Sequence, residues 1–116
     1  MYSGFEEWVR MIYTTDEIRQ RITPIAEKYQ LRRIYLFGSY ARNEAIDGSD
    51  IDVLVDITDS KVKGWILGGL YNDLCEIFGE NVDLITTNVL PKNKDDDITP
   101  WFTENIMKDR VLIYEQ

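Results

Sequence analysis

The spacing of apolar residues predicts three principal helices. Each has an apolar residue at every third or fourth position, and together they cover residues 14–29, 63–78 and 99–106. Thr14 and Glu17 have the spacing of a capping box at the start of the first helix. Pro24 either kinks that helix or begins a second short one. Gly68 and Gly69 weaken the second helix, and we interpret them as a point of close packing against the sheet rather than a functional contact.

Short runs rich in apolar and β-branched residues predict four strands, over residues 33–37, 50–57, 81–86 and 110–114. The run at 50–57 is apolar on both faces, which is typical of a central strand. A short helix at 40–45 and a turn at 47–49 separate the first two strands, and a polar loop at 88–97 precedes the last helix. This order predicts an α/β or α+β fold, a mixed β-sheet flanked by helices, in one domain of residues 1–116.

Composition restricts the chemistry that is available. The chain has 116 residues and no histidine, and Cys75 is its only cysteine. Histidine-based catalysis, histidine-ligated metals, internal disulfides and cysteine zinc clusters are therefore excluded. A net charge of −8 argues against direct binding of DNA or RNA, although a metal ion would screen a nucleotide locally. There is no apolar run of membrane-spanning length and no charged leader, so we expect a cytoplasmic protein without a membrane span.

Gly38 and Ser39 lie where the first predicted strand meets a helix. Glycine lets the backbone approach a phosphate, a helix N-terminus offers free N–H groups, and the Ser39 hydroxyl adds a donor. Arg42, one turn further on, could reach a phosphate oxygen or a neighbouring carboxylate. A Gly-Ser pair after a strand is by itself more often only a turn. The prediction of a phosphate site therefore depends on the acidic residues that follow.

Asp50 and Asp52 lie at the start of the second strand, on the same face and about 7 Å apart along the backbone. Two such carboxylates repel each other unless a cation lies between them, and oxygen ligands suit Mg²⁺. Asp83, in the middle of the third strand, would complete the set, because burial there would otherwise disfavour its charge. These residues predict a metal site that polarises an α-phosphate and lowers the pKa of an attacking hydroxyl.

Three other polar features lie outside this predicted metal site. Asp56 lies a further 7 Å or so along the second strand, so we expect a solvated strand end rather than a ligand. The three aspartates at 95–97 are expected in a solvated loop. Tyr40 either stacks on a base or packs in the core.

The stretch GSYAR at 38–42, followed by SDIDVLV at 49–55, resembles the DNA polymerase β-like nucleotidyltransferase superfamily. Within it, the sequence is most similar to the minimal nucleotidyltransferase (MNT) proteins, and the likeness extends over residues 34–37 and 111–114. One departure is Asn43, where many relatives carry glycine. Asparagine tolerates the same backbone region, so we expect no loss.

The resemblance implies a set of site residues and a function. In the MNT family the Gly-Ser turn binds the triphosphate and three aspartates bind Mg²⁺, which correspond here to Gly38, Ser39, Asp50, Asp52 and Asp83. Only its strand context supports the match of Asp83. MNT proteins are often paired with a helical HEPN ribonuclease toxin and can silence it by transferring AMP from ATP to a tyrosine. We therefore expect a Mg²⁺-dependent antitoxin enzyme that forms a hetero-oligomer with a HEPN protein.

Two other functions stay open at this point. A non-catalytic antitoxin would neutralise the toxin by masking it, although the presence of all three carboxylates speaks against a decayed site. A small-molecule nucleotidyltransferase of the aminoglycoside-modifying kind would usually carry further acceptor-binding sequence. The nucleotide base is not predicted, because base selection depends on the shape of the pocket.

Overall fold

The computed structural model describes residues 12–79, 81–90, 97 and 99–116. Four α-helices, a 3-10 turn and four strands lie among them, in the order α1 (Thr15–Tyr29), β1 (Arg33–Phe37), α2 (Gly38–Ala41), β2 (Ile51–Asp56), α3 (Ile66–Phe78), β3 (Val82–Thr86), the 3-10 turn (Thr87–Val89), α4 (Pro100–Asp109) and β4 (Val111–Glu115). None of these helices combines the length and the apolar character that crossing a bilayer requires. Most of the predicted loop at 88–97, with two of its three aspartates, lies outside the described residues.

The strands form one mixed sheet in the order β3-β2-β1-β4. β2 is parallel to β3 and antiparallel to β1, and β4 is antiparallel to β1. α3 provides the crossover that a parallel pair requires. Val53, Leu54 and Val55 of β2 are almost completely buried, which explains why this strand is apolar on both faces. The predicted mixed sheet flanked by helices is confirmed.

The two faces of the sheet carry cores of different size. The larger core packs α1 and α3 against one face, and its buried members include Ile18, Ile22, Leu36, Val53, Leu70 and Leu74. The smaller core joins α4 to the other face through Phe37, Leu54 and Ile106. The N-terminal end of β2 is left open on this second face, where Asp50 is exposed and Asp52 half-buried. The candidate site lies at this opening.

Helix α1 begins with the predicted capping box. The Thr14 hydroxyl oxygen accepts a hydrogen bond from the Glu17 N–H at 3.1 Å, and the Thr14 N–H donates to the Glu17 carboxylate at 2.9 Å. Pro24 lies inside one continuous helix, so the alternative of a second short helix is wrong. The helix continues through Pro24 because Ile22 and Ile25, on either side of it, are both buried in the larger core.

Two local predictions need correction. The short helix predicted at 40–45 is instead α2, Gly38–Ala41, and the positive φ of 59° at Asn43 prevents its continuation. The close packing inferred for Gly68 and Gly69 is made by only one of them, and against a helix rather than the sheet. A Cβ added to Gly69 would lie 3.3 Å from the Tyr29 hydroxyl, whereas at Gly68 it would meet open space.

The attachment of α4 depends on Ile106, which is 2% exposed. We expect Ile106→Ala to lower the free energy of unfolding by about 2–4 kcal/mol, since it removes a buried side chain and leaves a cavity. Met107→Ala is the matched control, because Met107 lies on the same helix and is 47% exposed. Urea denaturation monitored by circular dichroism measures both, and equal losses would contradict the account of the smaller core.

Candidate active site

The turn that follows β1 brings the backbone of Gly38 against a carboxylate of β2. Gly38 has a φ of 72°, in the left-handed region that favours glycine. A Cβ at this position would lie 2.1 Å from Asp52 Oδ2, far inside van der Waals contact. Gly38 is therefore required twice, by its backbone conformation and by the close approach of the Asp52 carboxylate.

Three carboxylates converge beside this turn. Asp52 and Asp83 are direct partners in the parallel register of β2 and β3, and Asp50 precedes β2 on the same face. One carboxylate oxygen from each lies within 4.8 Å of the others. The structure thus brings together the three aspartates that the sequence suggested. Asp83 is exposed, however, so the expectation that its charge is buried in mid-strand is wrong, because β3 is an edge strand.

The chemistry of this cluster fits a divalent metal ion. Oxygen ligands at this spacing are those that Mg²⁺ and Mn²⁺ prefer. Partial burial of Asp52, a hydrogen bond with Asp83 and the charges of Asp83 and Asp50 raise the pKa of Asp52 from its ordinary 3.8 to about 7. Without a cation the cluster therefore retains a proton near neutral pH. A bound cation would replace that proton and neutralise the repulsion.

Arg42 provides a positive charge at the edge of the cluster. Its guanidinium donates to Glu44 at 2.7 Å and to Asp109 of α4 at 3.1 Å. These hydrogen bonds raise the pKa of Arg42 still further, so the group stays charged. The sequence allowed Arg42 to reach either a phosphate oxygen or a neighbouring carboxylate, and in the structure it binds two carboxylates. Its contact with Asp109 connects the glycine turn to α4.

A cavity of about 530 Å³ contains the cluster. The described residues in its wall include Gly38, Arg42 and the three aspartates, but not Ser39, which is half-buried on α2 beside it. The apolar part of the wall comes from β1, β3 and α4, through Phe37, Leu84, Ile85, Phe102 and Ile106. Its volume falls within the range of small-molecule sites.

Helix α4 supplies one wall of this cavity, which sequence reasoning missed. Phe102, Asn105, Ile106 and Asp109 all line it, at the spacing of one helical face. The signal available in the sequence was an amide and a carboxylate on the apolar side of an amphipathic helix. That signal was uninformative without knowing which face of the sheet α4 covers.

Three residues discussed from the sequence, Asp56, Tyr40 and Asn43, lie outside the carboxylate cluster. Asp56 contacts Arg33 at 3.8 Å and accepts a hydrogen bond from the Thr58 N–H, so it is a partnered strand end rather than part of the cluster. Tyr40 is 5% exposed and belongs to the larger core, which excludes base stacking. Asn43 adopts the left-handed conformation that glycine would take, as expected.

Comparison with known proteins assigns the family. Residues 16–113 match the family described as a nucleotidyltransferase domain. The chain belongs to this family. It is therefore a nucleotidyltransferase, and the resemblance to the MNT proteins read from the sequence motifs is confirmed by its relatives.

The relatives include a Methanocaldococcus jannaschii protein named "Putative protein adenylyltransferase", 41% identical over 97 residues that cover 84% of this chain and 89% of the relative. "Protein adenylyltransferase MntA" of Thermococcus cleftensis is 40% identical over 50 residues, 40% of this nucleotidyltransferase and 50% of that protein.

Two solved structures share the fold. A chain of a toxin–antitoxin crystal structure with AMP-PNP aligns with a TM-score of 0.64 at 20% identity, covering 84% of this chain and 73% of that one. A chain from the complex of a tri-AMPylated Shewanella oneidensis HEPN toxin with its MNT antitoxin aligns with a TM-score of 0.60 at 18% identity, covering 89% and 74%. The nucleotidyltransferase fold is thus shown independently of close sequence similarity.

The close approach of Gly38 to Asp52 can be tested by adding one methyl group. Gly38→Ala should weaken Mn²⁺ binding by about tenfold or more, since a loss of 1.4 kcal/mol at the carboxylate suffices. Gly64→Ala is the matched control, because Gly64 also has a positive φ, 55°, but its added Cβ meets open space. Both variants should lose a similar amount of stability from backbone strain. Calorimetric titration with Mn²⁺ checks this, and equal metal affinity in the two variants would contradict it.

The raised pKa of Asp52 predicts a pH-dependent stability in the presence of a chelator. Folding raises this pKa to about 7, so the stabilising contribution of the neutral carboxyl is complete below about pH 4 and is lost as the pH rises through 7. Asp52→Asn does not titrate, and its melting temperature should exceed that of the wild type at pH 8. We expect a difference of roughly 4 °C, which corresponds to about 1 kcal/mol after allowance for solvent screening.

The control for this measurement is Asp56→Asn. Although burial opposes it, hydrogen bonds from Thr58 and the charges of Arg32 and Arg33 lower the pKa of Asp56. Its ionised form therefore stabilises the fold above pH 4, and Asp56→Asn should melt below the wild type at pH 8. A gap between Asp52→Asn and the wild type that stays constant from pH 5 to pH 8 would contradict the protonated cluster.

Proposed function

We propose that this chain is a cytoplasmic, Mg²⁺-dependent protein adenylyltransferase that acts as an antitoxin by transferring AMP from ATP to a tyrosine of a HEPN ribonuclease toxin. Residues 1–116 form its nucleotidyltransferase domain in this proposal. The observation that carries it is the convergence of Asp50, Asp52 and Asp83 beside the Gly38 turn in one cavity. The names of the relatives support transfer of AMP to a protein, and the toxin–antitoxin complexes among the structural neighbours support a HEPN partner.

Asp50, Asp52 and Asp83 are the residues proposed to hold Mg²⁺. Their oxygens lie within 4.8 Å of one another, and burial together with the two neighbouring carboxylates raises the pKa of Asp52, which a bound cation would lower again. When bound, Mg²⁺ supplies charge neutralisation at the phosphates and lowers the pKa of an attacking hydroxyl. The Asp52 carboxylate packs close to the backbone of Gly38, so the phosphate turn and the cluster adjoin before the nucleotide arrives.

Gly38, Ser39 and Arg42 are proposed to bind the triphosphate. Gly38 lines the cavity without a side chain, which leaves its backbone accessible to phosphate oxygens. Arg42 lines the same cavity and carries a permanent positive charge. Its guanidinium is paired with Glu44 and Asp109. A phosphate oxygen could bind the guanidinium beside these carboxylates or replace one of them. Ser39 adjoins this wall and adds a hydroxyl on the first turn of α2.

The proposed reaction is an in-line displacement at the α-phosphorus. The tyrosine oxygen forms a bond to that phosphorus while the bond to the β-phosphate oxygen breaks and pyrophosphate leaves. The tyrosine proton passes to the carboxylate of Asp83, which is exposed on an edge strand. A net charge of −8 favours a protein acceptor over a nucleic acid.

Transfer of label tests this function. With ATP labelled at the α-phosphate, Mg²⁺ and a HEPN protein encoded beside it, the chain should label the partner on tyrosine. Asp52→Asn should lower the rate by about 100-fold or more, equivalent to a loss of about 2.7 kcal/mol of transition-state stabilisation. Asp56→Asn is the control, because it lies on the same strand outside the cluster and should retain the activity.

Three results would contradict the proposal. The first is the absence of label on the partner, and the second is label that persists in Asp52→Asn. The third is full protection of cells by an Asp50→Ala/Asp52→Ala double variant, which would instead support neutralisation by masking.

A further inference from the structure

The cavity around the carboxylates has two chemically different halves. One half carries charges, from the three aspartates, Arg42 and Asp109. The other half is apolar and is bounded by Leu84 and Ile85 of the edge strand and by Phe102 of α4. Asn105 stands at the rim of this apolar half, exposed and with its amide free of hydrogen bonds to other described residues. A metal–triphosphate complex would occupy the charged half alone.

We propose that the apolar half is the subsite for the nucleotide base, in which Phe102 stacks on the ring and Asn105 reads its hydrogen-bonding edge in favour of adenine. The assignment rests on the proposed function, since a base accompanies the triphosphate only if the substrate is a nucleotide. It adds the residues that recognise the base, which the sequence motifs leave open.

The distance between the two halves suits a nucleotide. Ile85 follows Asp83 by two residues on β3, and therefore lies about 7 Å further along the same face of the strand. Ile85 packs against the smaller core together with Phe102, so the apolar half has a packed floor. A ribose would bridge the space between the phosphates at the carboxylates and a base over this floor.

The side chains of the apolar half suit an aromatic base with a polar edge. Phe102 is half-buried, and its ring is held edge-on by Trp101, with centroids 5.8 Å apart and an interplanar angle of 70°. Among the described residues that line the cavity, Asn105 is the only one with an uncharged side-chain donor and acceptor. An amide can pair with the N6 donor and N7 acceptor of adenine together, whereas guanine presents two acceptors, O6 and N7, along the same edge. The ring of an acceptor tyrosine has no such edge.

One face of α4 carries both recognition and charge. Phe102, Asn105 and Asp109 follow one another at helical spacing, and Asp109 holds the guanidinium of Arg42. The base-reading residues are therefore fixed relative to the phosphate end through the same helix.

The test compares binding of ATP, GTP and inorganic tripolyphosphate to the full chain with Mg²⁺ and no partner, by calorimetry. Phe102→Ala should weaken ATP binding by about tenfold, a typical effect of losing one stacked aromatic, and leave tripolyphosphate binding unchanged. Phe102→Leu keeps the apolar volume and removes the aromatic face, so it should show the same selective loss. Asn105→Ala should reduce the preference for ATP over GTP by about fivefold or more. Met107→Ala, on the exposed side of α4, should change the affinity for neither ATP nor tripolyphosphate.

The contrary results are distinct from one another. If the Phe102 variants bind ATP as the wild type does but label the partner more slowly, the apolar half receives the acceptor and the base assignment is wrong. If they lose ATP and tripolyphosphate equally, Phe102 only supports the fold, which also overturns it. If the wild type binds tripolyphosphate but binds ATP and GTP equally well, Asn105 does not select the base and that part of the proposal is wrong. Failure of the wild type to bind any triphosphate would instead overturn the proposed function itself.

Discussion

Three carboxylates whose oxygens lie within 4.8 Å of one another repel each other when ionised, and a cation or a bound proton relieves that repulsion. The fold nevertheless holds them there. The register of β2 and β3 places Asp52 beside Asp83, and the glycine at 38 allows the turn after β1 to close over Asp52. Burial of Asp52, its hydrogen bond with Asp83 and the charges of Asp83 and Asp50 together raise its pKa. The site is thus organised for a positive ion, and the packing of the rest of the fold offsets the repulsion among the three carboxylates.

The division of the sheet into two faces makes this arrangement possible. The larger core, under α1 and α3, involves most of the buried apolar residues, and β2 contributes to both faces. The second face of the sheet buries fewer apolar side chains, and a short helix with one buried isoleucine covers only part of it. That helix contributes the remaining wall of the cavity and, through Asp109, a partner for Arg42. The same element links the proposed base subsite to the phosphate end.

Much of the fold and part of the site could be predicted from local sequence. The strands followed from β-branched runs, the first helix from its capping box, and the shared face of Asp50 and Asp52 from the two-residue period of a strand. The exposure of Asp83 could not be predicted in this way, because it depends on the position of β3 at the edge of the sheet. The Arg42–Asp109 contact joins residues 67 positions apart, and the wall formed by α4 depends on the same long-range packing. No local pattern encodes either contact.

The central claim is that Asp50, Asp52 and Asp83 form a divalent-metal site on which nucleotide binding depends. Anomalous diffraction from crystals grown with Mn²⁺ and a non-hydrolysable ATP analogue tests this most directly, since Mn²⁺ accepts the same oxygen ligands as Mg²⁺. We predict an anomalous peak bonded to oxygens of these three carboxylates and to the triphosphate. A peak elsewhere with the analogue bound in the cavity, or an analogue bound there with no metal near the carboxylates, would contradict it.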